Sequence, residues 1–139
     1  MAIKMRILYY SKSKKFEEIA KLIQNEYDLA INAVDKIPSA YPCDKERLVI
    51  LGLSAKKDLD DTFRLFVREL TKARSQNTAM IIDGDSAVAD KVKEQLNLAG
   101  TNVIDNVLYI KTGLFNSKVS DEEKKQVLDW VHGIVEELK

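Results

Sequence analysis

The chain has one cysteine, Cys43, and one histidine, His132, in 139 residues. A lone thiol excludes an internal disulfide, a CxxC redox pair and a cysteine-rich zinc site. Cys43 follows Pro42 in an apparent loop and lacks the downstream arginine spacing of a phosphatase loop, so nothing in the sequence activates it as a nucleophile. A single histidine on the last helical segment does not complete a Ser/His/Asp set. No apolar run approaches the ~20 residues that cross a bilayer, and the N-terminus lacks an h-region ending in a small-residue cleavage site. A cytoplasmic protein without a membrane partner is the expectation. An excess charge is missing too. With 22 basic against 22 acidic residues the net charge is zero, which argues against a general nucleic-acid binder while leaving room for a local basic patch. Neither G-x-G-x-x-G nor the Walker G-x-x-x-x-G-K occurs, so dinucleotide and P-loop readings have no motif. A receiver domain needs acidic residues after the first strand and an aspartate ending the third, where Ser11 and Leu53-Ser54 stand.

What is present is an ordinary globular composition, 45% hydrophobic and 32% charged, long enough for one domain over residues 1–139 with a real core. Strand-like and helix-like patterns alternate strictly. Arg6 to Tyr10 reads as a buried strand, followed by a helix with the apolar face Phe16, Ile19, Ala20, Ile23 and Tyr27. A weak second strand is expected over Leu29 to Val34. Pro38 and Pro42 then exclude regular structure. Leu48 to Leu53 is continuously apolar, as a parallel strand covered on both faces should be. Its helix has Asp58 as the expected N-cap and Leu59, Phe63, Phe66, Val67 and Leu70 as its inward stripe. Thr78 to Ile82 and a helix from Ala87 to Ala99 closed by Gly100 follow. A last strand over Val103 to Ile110 is bent at Asp105-Asn106, and Ser120-Asp121-Glu122-Glu123 is a capping box for a helix burying Val127, Trp130, Val131, Ile134 and Leu138. Five strands and about four helices predict an α/β domain with a three-layer doubly wound parallel sheet.

Ligands of such a sheet collect outside the carboxyl ends of its strands, where strand order reverses. The loops concerned are Ser11 to Phe16, Ser54 to Asp58, Asp83 to Ser86 and Thr112 to Asn116. The first is the most informative. Ser11-Lys12-Ser13-Lys14-Lys15-Phe16 joins a strand directly to a helix, which offers free backbone N–H groups and a positive dipole end to an anion. Its three lysines are mildly unfavourable at that end unless an anion, or Glu17 and Glu18, neutralises them. Asp83 and Asp85 are the only acidic residues at strand ends, too few for a metal site, and the plain reading of that loop is a turn with Asp85 or Ser86 as N-cap.

Taken in chain order, Ile7-Leu8-Tyr9-Tyr10-Ser11-Lys12-Ser13, then Leu48 to Gly52, then Asp83-Gly84-Asp85-Ser86 resemble the first strand with its phosphate-loop start, the third strand, and the loop after the fourth strand of the flavodoxin family. The resemblance implies strand order 2-1-3-4-5, FMN as cofactor and electron transfer as function, with the flavin doing the chemistry and the protein tuning it. The family's phosphate loop reads Ser/Thr-x-Thr/Ser-Gly-x-Thr. Ser11 and Ser13 match its first hydroxyls, Lys14 replaces its glycine, and Phe16 replaces its last threonine. By resemblance, Ser11, Lys12, Ser13, Lys14, Lys15 and Phe16 form the phosphate end of the site. Gly52, Leu53, Ser54 and Ala55, with Asp83, Gly84, Asp85 and Ser86, flank the ring. These two flanking loops contain no aromatic residue, unlike most of the family; Tyr10, Tyr41 and Phe115 are the aromatics nearest other strand ends. A second reading stays open beside the electron carrier: a flavin-free binding module whose lysines 12, 14, 15, 56 and 57 dock an anionic ligand or an acidic protein partner. In neither is the chain a catalyst with its own catalytic residues.

Overall fold

The computed structural model describes residues 3–10, 14–27, 30–33, 43–54, 61–111 and 118–139. Its elements run β1 (Met5–Tyr10), α1 (Lys14–Tyr27), β2 (Ala30–Ala33), β3 (Glu46–Ser54), α2 (Asp61–Arg68), β4 (Ser75–Asp83), α3 (Ser86–Ala99), β5 (Asn102–Val103), β6 (Leu108–Tyr109) and α4 (Asp121–Leu138). The strands lie in the order β2-β1-β3-β4-β5, all parallel, with β6 also paired to β4. The expected doubly wound sheet is therefore present. Its fifth position is filled in two pieces, β5 against Asn77 and Thr78 and β6 against Ile81 and Ile82. The interruption falls where Asp105 and Asn106 predicted a bend. There the Asn106 carbonyl accepts a 2.8 Å hydrogen bond from Trp130 Nε1, so the buried indole satisfies its N–H and holds the bent segment against α4.

Alternation along the strands sends side chains to two separate cores. Leu8, Val49, Leu51, Leu53, Met80 and Ile82 meet Phe63, Phe66 and Val67 of α2 and Val88, Val92 and Leu96 of α3. Ile7, Leu48, Ile50 and Ile81 meet Phe16, Ile19 and Ile23 of α1 and Val127, Trp130 and Ile134 of α4. β3, sandwiched centrally, is buried from Leu48 through Leu53, which is why its sequence shows no polar alternation.

Strand ends differ from the sequence expectation for a physical reason. β3 begins two residues earlier, at Glu46, whose carboxylate is buried against Arg6 at 3.2 Å. β4 begins at Ser75 because its polar start is satisfied internally: Ser75 Oγ and Thr78 Oγ1 are 3.0 Å apart, and Thr78 Oγ1 and Thr101 Oγ1 2.9 Å. Paired polar groups are compatible with burial, but they hide a strand from any apolar pattern. Helix ends agree better. Asp85 caps α3 by accepting from Val88 N at 3.1 Å, and Gly100 closes it at φ 109°, a left-handed conformation suited to glycine. Ser120 and Glu123 form the expected capping box. The expected N-cap Asp58 and the stripe residue Leu59 lie outside the described residues, as do both prolines.

Candidate functional site

The reversal of strand order falls between β1 and β3, whose crossovers leave in opposite directions. Their carboxyl ends are level with β4: Tyr10 is in register with Leu53, and Ser54 with Asp83. This edge brings together the start of α1, the end of β3, the turn from Asp83 to Ser86, and Lys111 after β6. Ser11, Lys12, Ser13, Ala55, Lys56, Lys57 and the loop residues Gly113 and Phe115 lie outside the described residues. Gly84, Asp85 and Ser86 are exposed there, and Asp83 is half-buried.

Four of the sequence candidates face inward. Phe16 is 1% exposed and lies over β3 at Gly52, where an added Cβ would stand 2.7 Å from Phe16 Cε1. The glycine is there to admit the ring; the aromatic at the family's threonine position belongs to the core. Leu53 points into the α2/α3 core. Any contact of Phe16, Gly52 or Leu53 with a ligand would use backbone.

Lys15 is the fourth. It is 1% exposed, donates from Nζ to the Lys111 carbonyl at 2.7 Å, and stands 2.5 Å from Glu123 Oε2. Lys14, beside it, is exposed. The three-lysine turn is thus split, with one member built into the protein. Glu123 in turn has its carboxyl held below the ordinary value of 4.5, first by the hydrogen bond from Lys15, against the opposing effect of its own desolvation. The same carboxylate accepts from Ser120 N at 3.2 Å. Sequence reasoning gave Glu123 only its capping role. A signal was available: Lys15 precedes Ile19 by four residues and so begins the inward face of α1, where an exposed lysine does not belong.

The remaining chemistry-bearing side chains are elsewhere. His132 sits 3.2 Å from Glu26 and edge-on to Tyr27, beside the last turn of α1 and thus at the opposite end from the site. Cys43 is buried, and burial pushes its thiol up to about 11 from 9.0. A shift of that size lowers the thiolate population about 100-fold. Native protein at neutral pH should therefore react with a thiol probe at least that much more slowly than the urea-unfolded chain; similar rates would contradict a buried thiol. Among the described residues no group of three metal-ligating side chains converges, and no helix is long and apolar enough to span a membrane.

Solved structures match along nearly the whole chain. Oxidised flavodoxin 1 from Bacillus cereus is 24% identical with a TM-score of 0.68, covering 98% of this chain and 99% of its own. A short-chain flavodoxin associated with a PDU bacterial microcompartment gives 0.72 at 10% identity, covering 99% of both. Flavodoxin from Fusobacterium nucleatum, bound to flavin mononucleotide, gives 0.65 at 13% identity and again covers 99% of both. The chain has the flavodoxin fold. No protein-family model matches the sequence, and comparison with curated proteins finds no match. At these identities the likeness is one of fold, residing in strand order and layer packing.

Proposed function

We propose that this flavodoxin-like protein binds FMN at the carboxyl edge of β1 and β3 and carries electrons through it. The observation supporting this most directly is the end-to-end match to flavodoxins, among them one solved with FMN. The donor set fits a phosphate. A 14-residue helix opens directly after Ser11 and Ser13, its first backbone N–H groups lack intrahelical partners, and exposed Lys14 adds positive charge. In the Fusobacterium protein a lysine early in the chain has been exchanged for glycine and that variant too is bound to FMN, so flavin binding there tolerates either residue. Lys14 in the glycine position of the phosphate-loop pattern is read in the same way. Ser11, Ser13 and Lys14 would hold the phosphate, while backbone from Gly52 to Ala55 and the exposed turn Asp83 to Ser86 would flank the ring. When bound, the flavin supplies the redox chemistry, and the protein fixes its orientation and polarity.

With no aromatic side chain in the ring-flanking loops, less apolar surface is covered than in a stacked site. The expected affinity is accordingly modest, Kd about 1 to 100 µM, or roughly −8 to −5.5 kcal/mol. Titration of the purified protein with FMN should yield a bound flavin band near ~450 nm and saturable heat in that range. No binding at sub-millimolar FMN would refute the reading.

A second reading has its own observation. Lys14, Lys111 and Lys118 are all exposed at the junction organised by Lys15, a basic rim that an acidic protein partner, redox or otherwise, would complement. Without flavin binding, this docking role is the one that remains.

A further inference from the structure

We propose that Lys15 and Glu123 are a positioning pair: by pinning the start of α1 to the start of α4, they hold the phosphate-facing amides of α1 in place and thereby set discrimination between phosphorylated and unphosphorylated flavin. This rests on the FMN reading above.

The pair is poorly explained as a stability device. A lysine in the first turn stands at the positive end of the helix dipole, where its charge is unfavourable. Burying an ammonium costs several kcal/mol, and a buried pair is often no more stabilising than apolar side chains of similar volume. An apolar residue would suit the site, since Lys15 lies on the inward side of α1 in a layer otherwise made of Phe16, Ile19 and Ile23. What a methionine or leucine there could not provide is direction. The ammonium has a carbonyl acceptor 2.7 Å away on Lys111 and a carboxylate oxygen 2.5 Å away on Glu123. Each fixes an angle as well as a distance.

The partners are themselves fixed. Glu123 Oε1 accepts from Ser120 N at 3.2 Å, while Glu123 N donates to Ser120 Oγ at 3.1 Å, so its carboxylate is part of the capping box of α4. One turn along α1, Glu18 Oε2 accepts from Val119 N at 3.3 Å, a second tie between the same two helix starts. Residues 14, 111 and 118–119 are the described residues that adjoin positions 11–13 and 112–117 in the sequence. The contacts therefore tie the first turns of α1 both to Lys111 after β6 and to the residues that open α4.

Position matters at this corner because the anion would be held chiefly by backbone amides, whose contribution depends on alignment within about half an ångström. Riboflavin lacks the phosphate and does not use that corner. The pair should thus act on FMN and leave riboflavin alone.

The test measures FMN and riboflavin affinities by flavin fluorescence for the unaltered protein, Lys15→Met and Glu123→Gln, with circular dichroism to verify that each is folded. Lys15→Met keeps the length of the side chain and removes its charge. Glu123→Gln keeps an acceptor and the capping geometry and removes the opposing charge, so either variant can carry the result if the other fails to fold. The expected outcome is at least a ten-fold loss of FMN affinity with riboflavin changed less than two-fold. An unchanged ratio, or equal losses for both ligands, overturns the positioning role while leaving the FMN reading intact. Failure of the unaltered protein to bind FMN overturns that reading, and the inference falls with it.

Discussion

Gly52→Ala should destabilise the protein by about 1 to 3 kcal/mol, the usual cost of overpacking a filled core. The new Cβ would stand 2.7 Å from Phe16 Cε1, 2.9 Å from Phe16 Cδ1 and 3.3 Å from Tyr9 Cβ. Such separations are too short for carbon atoms, so something must move. The ring has little freedom to yield, because it is 1% exposed and enclosed by the α1/α4 core, and Gly52 belongs to the central strand, paired on both sides. Urea denaturation gives the size of the effect, and a double-mutant cycle gives its cause. Phe16→Leu alone should cost about 1 kcal/mol or somewhat more, but it relieves the clash, so in the Gly52→Ala background the combined loss should fall short of the sum by about 1 kcal/mol. Additive losses would mean that the ring and the glycine do not depend on each other.

Removing the two members of the buried ion pair should have unequal consequences. Glu123 is 29% exposed and Lys15 is 1% exposed. Without Lys15, the carboxylate still reaches water. Without Glu123, a buried ammonium loses its carboxylate and α4 loses its capping box. Glu123→Ala should therefore cost about 3 kcal/mol, and Lys15→Met about 1 kcal/mol or less. Equal losses in urea titrations would refute this ordering.

The same pair predicts a pH dependence. Its hydrogen bond from Lys15 holds the folded-state carboxyl of Glu123 below 4.5, its ordinary value in the unfolded chain. The unfolded state then binds the proton first as pH falls. The stabilisation is complete above 4.5 and is lost as pH drops through the lower folded-state value. Glu123→Gln abolishes this contribution, so the gap in stability between the unaltered protein and that variant should narrow in acid. A gap that widened below pH 4.5 would have the wrong sign.

Much of the architecture was legible because it follows from short-range rules. A continuous apolar run marks β3, helical periodicity marks the inward faces of α1, α2 and α4, and Gly100 and the Ser120–Glu123 box mark helix ends. Legibility failed where polar groups are buried. Glu46 and Ser75 start their strands earlier than any apolar pattern shows, because Arg6, distant in sequence, pairs one oxygen of the Glu46 carboxylate and the Ser75 hydroxyl belongs to a buried hydroxyl cluster with Thr78 and Thr101.

The candidate edge divides in the same way. Its place at the carboxyl ends of β1 and β3 was readable from the βαβ alternation, since right-handed crossovers leave few arrangements. Which side chains face it was not. Phe16 was readable as the first residue of the apolar face of α1 and is core, but Lys12, Lys14 and Lys15 read alike as a basic turn, whereas in the folded protein Lys14 is exposed and Lys15 is internal.

By itself, then, the sequence determined the alternation of elements, the parallel sheet and the likeness to flavodoxins, because periodicity, capping and crossover handedness act over a few residues or through topology alone. Only the tertiary structure decided that Gly52 makes room for Phe16 and that Lys15 belongs to Glu123. Those outcomes depend on contacts between residues 36 and 108 positions apart in the chain, which packing alone brings together.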